Sequence, residues 1–327
     1  MTWLVTGGAG YIGTHVVHAM AAAGERLVVL DDLSTGDAGR LERLAGVPLV
    51  VGTVRDRALV DRVLGEHAVQ GVVHVAGKKA VAESVADPLR YFAENVEGLV
   101  SLLESCRAAG VGRFVFSSSA AVYGAPDTDP VTEDVPCRPL SPYGQTKLVG
   151  EWVLRDCATA HGLAATSLRY FNVAGAAFGR GERHATETHL IPIALQVAAG
   201  QREHLTVYGE DYPTPDGTCV RDYIHVEDLS DAHLLALTAP GPGEHRVYNL
   251  GNGTGFSVQQ VVDAVREVTG HPVPVVVGER RAGDPAQLVA ASDRIRADLG
   301  WTPRHTDLAG IVRDAWELKD PSAPHHS

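Results

Sequence analysis

The chain has 327 residues, of which 45% are hydrophobic and 21% are charged, and its formal net charge is −12. This length and composition are typical of a globular protein with one large domain or two ordinary ones. The acidic balance argues against a nucleic-acid partner, because a surface that binds nucleic acid is usually basic. It leaves room for local groups of arginine or lysine that grip a phosphorylated small molecule.

The first half of the chain alternates short apolar strands with helices. We predict strands at 3–6, 27–30, 49–51, 72–75, 113–117 and 165–170, and helices at 15–23, 57–66, 89–109 and from Pro142 to near Gly162. This alternation predicts an α/β fold of the Rossmann type, a doubly wound parallel sheet with helices on both faces. Ligands of such sheets bind beyond the carboxyl ends of the strands.

The regular alternation breaks after about residue 175. We predict helices at 190–199, 226–237, 258–269 and near 308–316, and strands at 205–208, 247–250 and 273–277. We therefore expect a nucleotide-binding domain at 1–175, to which 225–240 returns. A second, smaller α/β substrate-binding lobe at 176–327 should pack against it across a cleft.

The cysteines and the apolar runs bear on the compartment. The four cysteines show neither C-x-x-C nor metal-type spacing, which predicts reduced thiols and no metal site; they are Cys106, Cys137, Cys157 and Cys219. We expect no signal peptide, because the chain runs from Met1 straight into a strand. We expect no transmembrane helix, because no apolar run approaches ~18 residues. Together these features predict a cytoplasmic protein.

A glycine-rich loop joins the first strand to the first helix. Its glycines, Gly7, Gly10 and Gly13, permit a tight turn and the close approach of a pyrophosphate to a helix N-terminus. Asp31 ends the second strand about 20 residues further on, where an acid binds the ribose hydroxyls of a dinucleotide. A carboxylate there repels a 2′-phosphate, so we predict NAD and not NADP as the cofactor.

A Tyr-x-x-x-Lys motif supplies candidate acid–base chemistry. On a helix, Tyr143 and Lys147 lie one turn apart on the same face, and a nearby ammonium lowers the pKa of a tyrosine. Ser119, at the end of a predicted strand, adds a hydroxyl at the same crevice. The motif alone is common, and each residue has an ordinary alternative: an aromatic and a lysine on one helix face, and a serine that caps a turn.

Segments along nearly the whole chain resemble the extended short-chain dehydrogenase/reductase superfamily and, within it, the UDP-glucose 4-epimerases (UDP-galactose 4-epimerases). They are residues 6–13 (TGGAGYIG), 79–84 (KAVAES), 116–124 (FSSSAAVYG), 141–147 (SPYGQTK), 169–172 (RYFN), 208–213 (YGEDYP), 220–226 (VRDYIHV), 248–251 (YNLG) and 280–284 (RRAGD). The resemblance implies inversion of carbon 4 of a UDP-hexose by way of a 4-keto sugar. It also implies bound NAD and a homodimer built from the helices at 89–109 and around Trp152.

The resemblance assigns residues to three groups. Those expected to be catalytic are Ser119, Tyr143 and Lys147. Those expected to line NAD are Gly7, Gly10, Tyr11, Ile12, Gly13, Asp31, Ser34, Thr35, Gly36, Ala76, Gly77, Lys79, Asn95, Tyr143, Lys147 and Phe171. Those expected to bind the UDP-sugar are Ser119, Tyr143, Asn172, His189, Tyr208, Arg221, Arg281, Asp284 and Leu288.

Other activities of the same superfamily stay open. They are epimerisation of UDP-pentoses or UDP-uronates and dehydration, and a non-catalytic NAD-binding regulator is the alternative from another class. Relatives that eliminate water carry an acid pair where this chain has Ala120 and Ala121. A regulator tends to lose the Tyr/Lys pair that is kept here.

Four positions depart from relatives or bear on the choice of sugar. Thr53 stands where many relatives have an aspartate, Glu94 replaces an amide, and His189 replaces an asparagine of some relatives. Leu288 stands where a bulky tyrosine restricts some relatives to sugars without an N-acetyl group. Its smaller side chain leads us to expect use of UDP-GlcNAc and UDP-GalNAc as well.

Overall fold

The computed structural model describes residues 1–42, 44, 46–182, 187–281 and 283–318, so the end of the predicted smaller lobe lies outside the described residues. Seven strands form the main sheet: β1 (Thr2–Thr6), β2 (Arg26–Asp31), β3 (Leu49–Val51), β4 (Gly71–His74), β5 (Arg113–Ser119), β6 (Ala164–Tyr170) and β10 (His245–Leu250). Their order is β10-β6-β5-β4-β1-β2-β3, and all neighbours are parallel. The predicted doubly wound parallel sheet is confirmed.

Helices cover both faces of this sheet. On one face α1 (Tyr11–Ala22) packs against α8 (Val226–Ala236), and both contribute to one apolar core. On the other face a second core includes α2 (Arg57–Glu66), α5 (Gly98–Ala109) and α6 (Pro142–His161). Coverage of both faces explains why the strands are continuously apolar instead of alternating.

The helix predicted over 89–109 is interrupted. It follows a short helix α3 (Val81–Ala86) and consists of α4 (Pro88–Phe92), a π-helical turn at Ala93–Glu97, and then α5. A π turn inserts an extra residue into a helix and is frequent at functional sites. The turn contains Asn95, whose side chain is buried.

The smaller lobe is built on strand β9 (Val220–His225), which sequence analysis did not predict. It pairs with three short strands that were also missed: β7 (Asn172–Ala174), β11 (Gly255–Ser257) and β13 (Gln287–Leu288). Strands β8 (Leu205–Tyr208) and β12 (Val275–Gly278) form a separate parallel pair. The lobe's apolar core includes residues of α7 (Leu190–Ala198), α9 (Val258–Thr269) and α11 (Leu308–Glu317).

Part of the predicted domain division needs correction. The segment that returns to the first domain extends beyond 240, because β10 is the edge strand of the main sheet. Tyr248 and Leu250 of β10 are fully buried in the first core, together with Ile295 of α10 (Asp293–Leu299) and Trp301. Among the described helices, none is both long and apolar enough to cross a membrane.

Candidate active site

The glycine loop is packed so closely that side chains are excluded from it. Gly7 has a φ of 71°, and a Cβ there would lie 2.6 Å from the backbone nitrogen of Ala76. A Cβ on Gly13 would lie 2.0 Å from the carbonyl oxygen of Gly7. The loop therefore brings bare backbone and the N-terminus of α1 to the carboxyl ends of β1 and β4. This arrangement fits the pyrophosphate of a dinucleotide.

Asp31 braces the loop from the end of β2. Its Oδ2 accepts a hydrogen bond from the backbone nitrogen of Ala9, and its Oδ1 accepts one from Leu33, both at 2.9 Å. Burial raises the pKa of Asp31 above its usual value. Each carboxylate oxygen has a further lone pair, so the ribose hydroxyls of a dinucleotide fit this residue. A Cβ on Gly36 would lie 2.8 Å from Oδ1, so the segment at 34–36 passes directly over the acid.

Asn95 ties the loop after β4 to α6. Its Oδ1 accepts from the Lys78 backbone nitrogen at 2.8 Å, and its Nδ2 lies 3.0 Å from the Lys78 carbonyl and 3.1 Å from Thr146 Oγ1. A Cβ on Gly77 would lie 3.1 Å from Asn95 Oδ1 and 3.6 Å from Lys147 Nζ. Asn95 thus positions the loop at Gly77 beside Lys147, and its predicted contact with NAD stays a prediction.

The three predicted catalytic residues meet at the carboxyl end of β5. Helix α6 starts sharply because the Ser141 hydroxyl accepts from the Gly144 nitrogen at 3.1 Å and Pro142 occupies the first turn. This start places Tyr143 one turn before Lys147. The Ser119 side chain lies close enough to the Tyr143 phenol to influence its pKa. Lys147 Nζ donates to the Ser117 carbonyl at 2.8 Å and lies 5.9 Å from the centre of the Tyr143 ring.

The charges at this site differ from the sequence-based expectation. Burial lowers the pKa of Lys147 to about 8. Burial also raises the pKa of Tyr143, and the nearby Ser119 side chain offsets only part of that rise. The predicted net lowering of the tyrosine pKa by Lys147 is therefore wrong for the protein alone. Removal of water from both groups outweighs their attraction at this distance.

Two arginines of the smaller lobe, Arg221 and Arg281, each contact a neighbouring side chain. Arg221 on β9 donates to the Val220 carbonyl at 2.8 Å and lies 3.4 Å from Asp284. The guanidinium of Arg281 stacks over the Tyr208 ring at 3.8 Å. Both arginines keep further N–H groups that can bind diphosphate oxygens.

Leu288 lies beside Arg221 and near the turn that follows Ser119. It pairs in register with Arg221 across β13 and β9. Its side chain is half-buried and packs on a cluster that contains Ala120 and Phe171. Ala120 and Ala121 form a 3-10 turn directly after Ser119, whose hydroxyl accepts from the Ala121 nitrogen at 3.2 Å.

Asp222 is a structural residue of the site that sequence analysis missed. It is fully buried and accepts three backbone hydrogen bonds, from Asn252 at 2.6 Å, Gly253 at 3.0 Å and Ala290 at 3.1 Å. Its own carbonyl accepts from Asn172 Nδ2 at 2.9 Å. A carboxylate within the VRDYIHV segment, between Val220 and the apolar residues Tyr223 and Ile224, was the signal that could have identified it.

The side chains of His189 and Lys79 both contact the carboxylate of Glu182. His189 caps α7, and its Nδ1 lies 2.9 Å from Glu187 and 3.0 Å from Glu182. Lys79 Nζ lies 3.2 Å from the same oxygen of Glu182. Burial alone would lower the pKa of His189, but the two carboxylates raise it to about 9. A predicted substrate residue and a predicted cofactor residue are therefore linked through Glu182.

Thr53 and Glu94 flank an open groove at the carboxyl ends of β2 and β3. Thr53 Oγ1 accepts from the Arg55 backbone nitrogen at 3.3 Å, and the Arg55 side chain lies 3.5 Å from Glu94. The groove is lined by Asp32, Gly52, Thr53, Arg55, Asp56 and Glu94. It continues the line from the glycine loop through Asp31, where the base of a dinucleotide would extend.

The crevice thus combines a dinucleotide cradle, a Ser/Tyr/Lys group and a pair of arginines, the features of an NAD-dependent enzyme acting on a sugar nucleotide. Residues 3–251 match the NAD dependent epimerase/dehydratase family. The UDP-glucose 4-epimerase of Corynebacterium glutamicum is 52% identical over 316 residues, which cover 97% of this chain and 95% of that protein. The chain therefore belongs to this family and, within it, to the UDP-glucose 4-epimerases.

Solved structures agree with that assignment. The UDP-glucose 4-epimerase from Bifidobacterium longum in complex with NAD+ and UDP superposes with a TM-score of 0.93 at 38% identity, covering 98% of this chain and 99% of that one. The UDP-Glc/GlcNAc 4-epimerase from Campylobacter jejuni superposes with a TM-score of 0.87 at 40% identity, covering 97% and 98%. The resemblance seen in the sequence is confirmed.

Proposed function

We propose that this chain interconverts UDP-glucose and UDP-galactose by inverting carbon 4 through a 4-keto sugar, with NAD as its resident cofactor. One observation carries the proposal: Ser119, Tyr143 and Lys147 come together at the carboxyl end of β5. The fold, the family and the named activities of the relatives support it.

NAD fits the side of the crevice that is formed by the glycine loop and Asp31. The bare loop at Gly7 and Gly13 leaves space for the pyrophosphate, and Asp31 offers lone pairs to ribose hydroxyls. We assign Lys147 to the nicotinamide ribose and the groove beside Thr53 to the adenine. When bound, NAD supplies reversible two-electron redox chemistry at carbon 4.

Tyr143 moves the proton. It takes the proton of the 4-hydroxyl as carbon 4 is oxidised and returns it when the alcohol forms again with the opposite configuration. Ser119 is assigned to hold the same sugar oxygen in reach of the phenol, because its side chain lies beside Tyr143. Because burial disfavours the phenolate, the Lys147 ammonium must offset part of that cost in the reacting complex.

The smaller lobe holds the nucleotide while the 4-keto sugar rotates in the site. We assign Arg221 and Arg281 to the diphosphate, because arginine presents a rigid fork of donors that matches phosphate oxygens. Tyr208 and Asp284 are assigned to the uridine, and Asn172 and His189 to the diphosphate or sugar. A grip limited to the UDP end lets the 4-keto sugar present its other face to the same cofactor.

Incubation of the purified protein with UDP-glucose or UDP-galactose, without added NAD, tests this function. Chromatography should show the C4 epimer formed from either side, approaching one equilibrium ratio. A 4-keto-6-deoxy product would indicate a dehydratase, and binding of NAD without conversion of any UDP-sugar would indicate a regulator. Either result would overturn the proposal.

We also propose that the site accepts N-acetylated sugars. Leu288 lies in register with Arg221 and packs near Ala120, so its size limits the space beside the catalytic serine. The Campylobacter jejuni enzyme described as a UDP-Glc/GlcNAc 4-epimerase has a similar fold, which supports the proposal.

For the whole molecule we propose a cytoplasmic homodimer. Apolar side chains are exposed on the neighbouring helices α3, α4, α5 and α6: Val81, Val85, Leu89, Val100 and Trp152. Exposed apolar side chains grouped on neighbouring helices are typical of an interface. The four cysteines are free thiols, as expected in a reducing compartment. Light scattering should show twice the chain mass, and Trp152→Glu should shift it towards the monomer; a monomeric wild type would refute the dimer.

A further inference from the structure

A chain of three hydrogen bonds begins at the Leu229 carbonyl of α8 and ends at the side chain of Ser117 on β5. His233 Nδ1 lies 2.8 Å from the Leu229 carbonyl, and His233 Nε2 lies 2.5 Å from the Tyr170 hydroxyl. That hydroxyl lies 2.6 Å from Ser117 Oγ. The side chains of Ser117, Tyr170 and His233 are all buried. The Ser117 carbonyl in turn accepts the hydrogen bond from Lys147.

The protons of these hydrogen bonds can be assigned one after another, starting from the Leu229 carbonyl. A carbonyl oxygen can only accept, so the proton of the His233 ring is on Nδ1. Burial lowers the pKa of His233 to about 4, so the ring is neutral at physiological pH and its Nε2 accepts. Tyr170 therefore donates to His233, and the Ser117 hydroxyl donates to Tyr170. The chain has a single proton arrangement, and this makes it a rigid connection.

We propose that His233 is a positioning residue for the acid–base group. It fixes Tyr170, Tyr170 fixes Ser117, and Ser117 holds the ammonium of Lys147 at its distance from Tyr143. The inference rests on the proposed function, since it adds a residue to the same site.

The end of β5 carries Ser119 and also the Ser117 carbonyl to which Lys147 of α6 donates. Ser119 follows Ser117 by two residues on β5, and its side chain lies beside the Tyr143 phenol. Movement of β5 at Ser117 would therefore displace the serine and the lysine together. A shift of about 1 Å in a catalytic group reduces turnover strongly.

The other groups that face Lys147 do not replace the Ser117 carbonyl. They include the Phe116 ring at 5.1 Å, the Tyr143 ring, His74 and the Gly77 segment, where a Cβ would lie 3.6 Å from Nζ. Burial lowers the pKa of His74 to about 3, so this histidine is neutral and adds no positive charge that would repel the ammonium. Among the residues that the structure describes, the Ser117 carbonyl is thus the group that accepts a hydrogen bond from Lys147, and such a bond favours the ammonium.

Two variants of His233 and one matched control test the proposal. In His233→Leu we expect turnover about tenfold lower, with the KM for UDP-glucose little changed. We also expect the alkaline limb of the turnover profile at lower pH, because the ammonium loses its fixed carbonyl. His233→Gln should restore most of the turnover, since its amide oxygen can accept from Tyr170. The control His245→Leu breaks a similar bond, 2.8 Å long, to Ser167 in the same sheet, and its pH profile should match the wild type.

A wild-type pH profile in a folded His233→Leu protein, or the same shift in His245→Leu, would overturn the proposal. If His233→Leu does not fold, Tyr170→Phe decides instead. Its alkaline limb should move in the same direction, and an unmoved limb would contradict the proposal. Failure of the proposed function is a separate result, because the wild type itself would then not convert UDP-glucose.

Discussion

Lys147 bonds to a backbone carbonyl and not to an acid: its Nζ lies 2.8 Å from the oxygen of Ser117, in a site where the lysine is 6% exposed. A carbonyl favours the ammonium less than a carboxylate would, so burial dominates and the pKa falls to about 8. The lysine is therefore near its titration point at physiological pH.

Turnover should depend on the charge of Lys147. A free lysine keeps its proton up to about pH 10.4, whereas this one loses it as the pH rises through about 8. We expect the kcat for UDP-galactose to fall above about pH 8. In Lys147→Arg, which stays charged, residual turnover should show no such fall. A wild-type kcat that is constant up to pH 10 would contradict this expectation.

The arginine grip can be tested without removing charge. Arg221→Lys keeps the positive charge but loses the fork that matches two phosphate oxygens. We expect calorimetry to show UDP binding about tenfold weaker, a typical effect of one lost charge-assisted hydrogen bond. NAD content should stay unchanged. Arg296→Lys, at an exposed arginine paired with Asp293, is the control and should bind UDP normally. If both variants bind UDP with equal affinity, the assignment of Arg221 to the diphosphate is wrong.

A buried ion pair should stabilise the sheet beside the site. Glu151 and Arg169 form two hydrogen bonds, at 2.6 and 2.9 Å, with 4% and 6% of their side chains exposed. Glu151→Gln leaves the guanidinium without its charged partner, and we expect the free energy of unfolding in urea to fall by about 3–5 kcal/mol. The exposed pair of Asp263 and Arg266 provides a control. Asp263→Asn should cost under about 1 kcal/mol, and similar losses in both variants would contradict the prediction.

The space beside Leu288 should determine the choice of sugar. The wild type should convert both UDP-galactose and UDP-GalNAc. In Leu288→Tyr the larger ring would fill the space for the N-acetyl group, so the ratio of kcat/KM for UDP-GalNAc to that for UDP-galactose should fall at least about tenfold. Leu288→Met, similar in volume, should keep the wild-type ratio. If the wild type converts no UDP-GalNAc, the proposal of dual use is wrong.

The first half of the fold could be predicted because its strands are apolar runs separated by helices of clear period. The boundaries of β3, α2, β8 and α9 match the predicted ranges. Strand β9 was missed because Arg221 and Asp222 interrupt its apolar pattern, and the partners that compensate Asp222 lie far along the chain at 252, 253 and 290. Burial of a charge depends on such distant partners, which periodicity does not show.

The candidate site, like the fold, could be predicted from the sequence only in part. Motif spacing brought Ser119, Tyr143 and Lys147 into one hypothesis, and the structure places them together. The upward shift of the Tyr143 pKa and the connection from Lys147 to His233 depend on burial and on strand order. Neither can be read from the spacing of residues in one segment.

The most direct measurement is turnover of Tyr143→Phe, which removes one oxygen and keeps the ring. We expect kcat for UDP-galactose to fall at least about 100-fold, because the sugar hydroxyl loses its proton acceptor. NAD content and UDP affinity should stay near those of the wild type, which shows that the crevice is intact. A folded Tyr143→Phe protein with near-normal turnover would contradict the assignment of the proton transfer to this tyrosine.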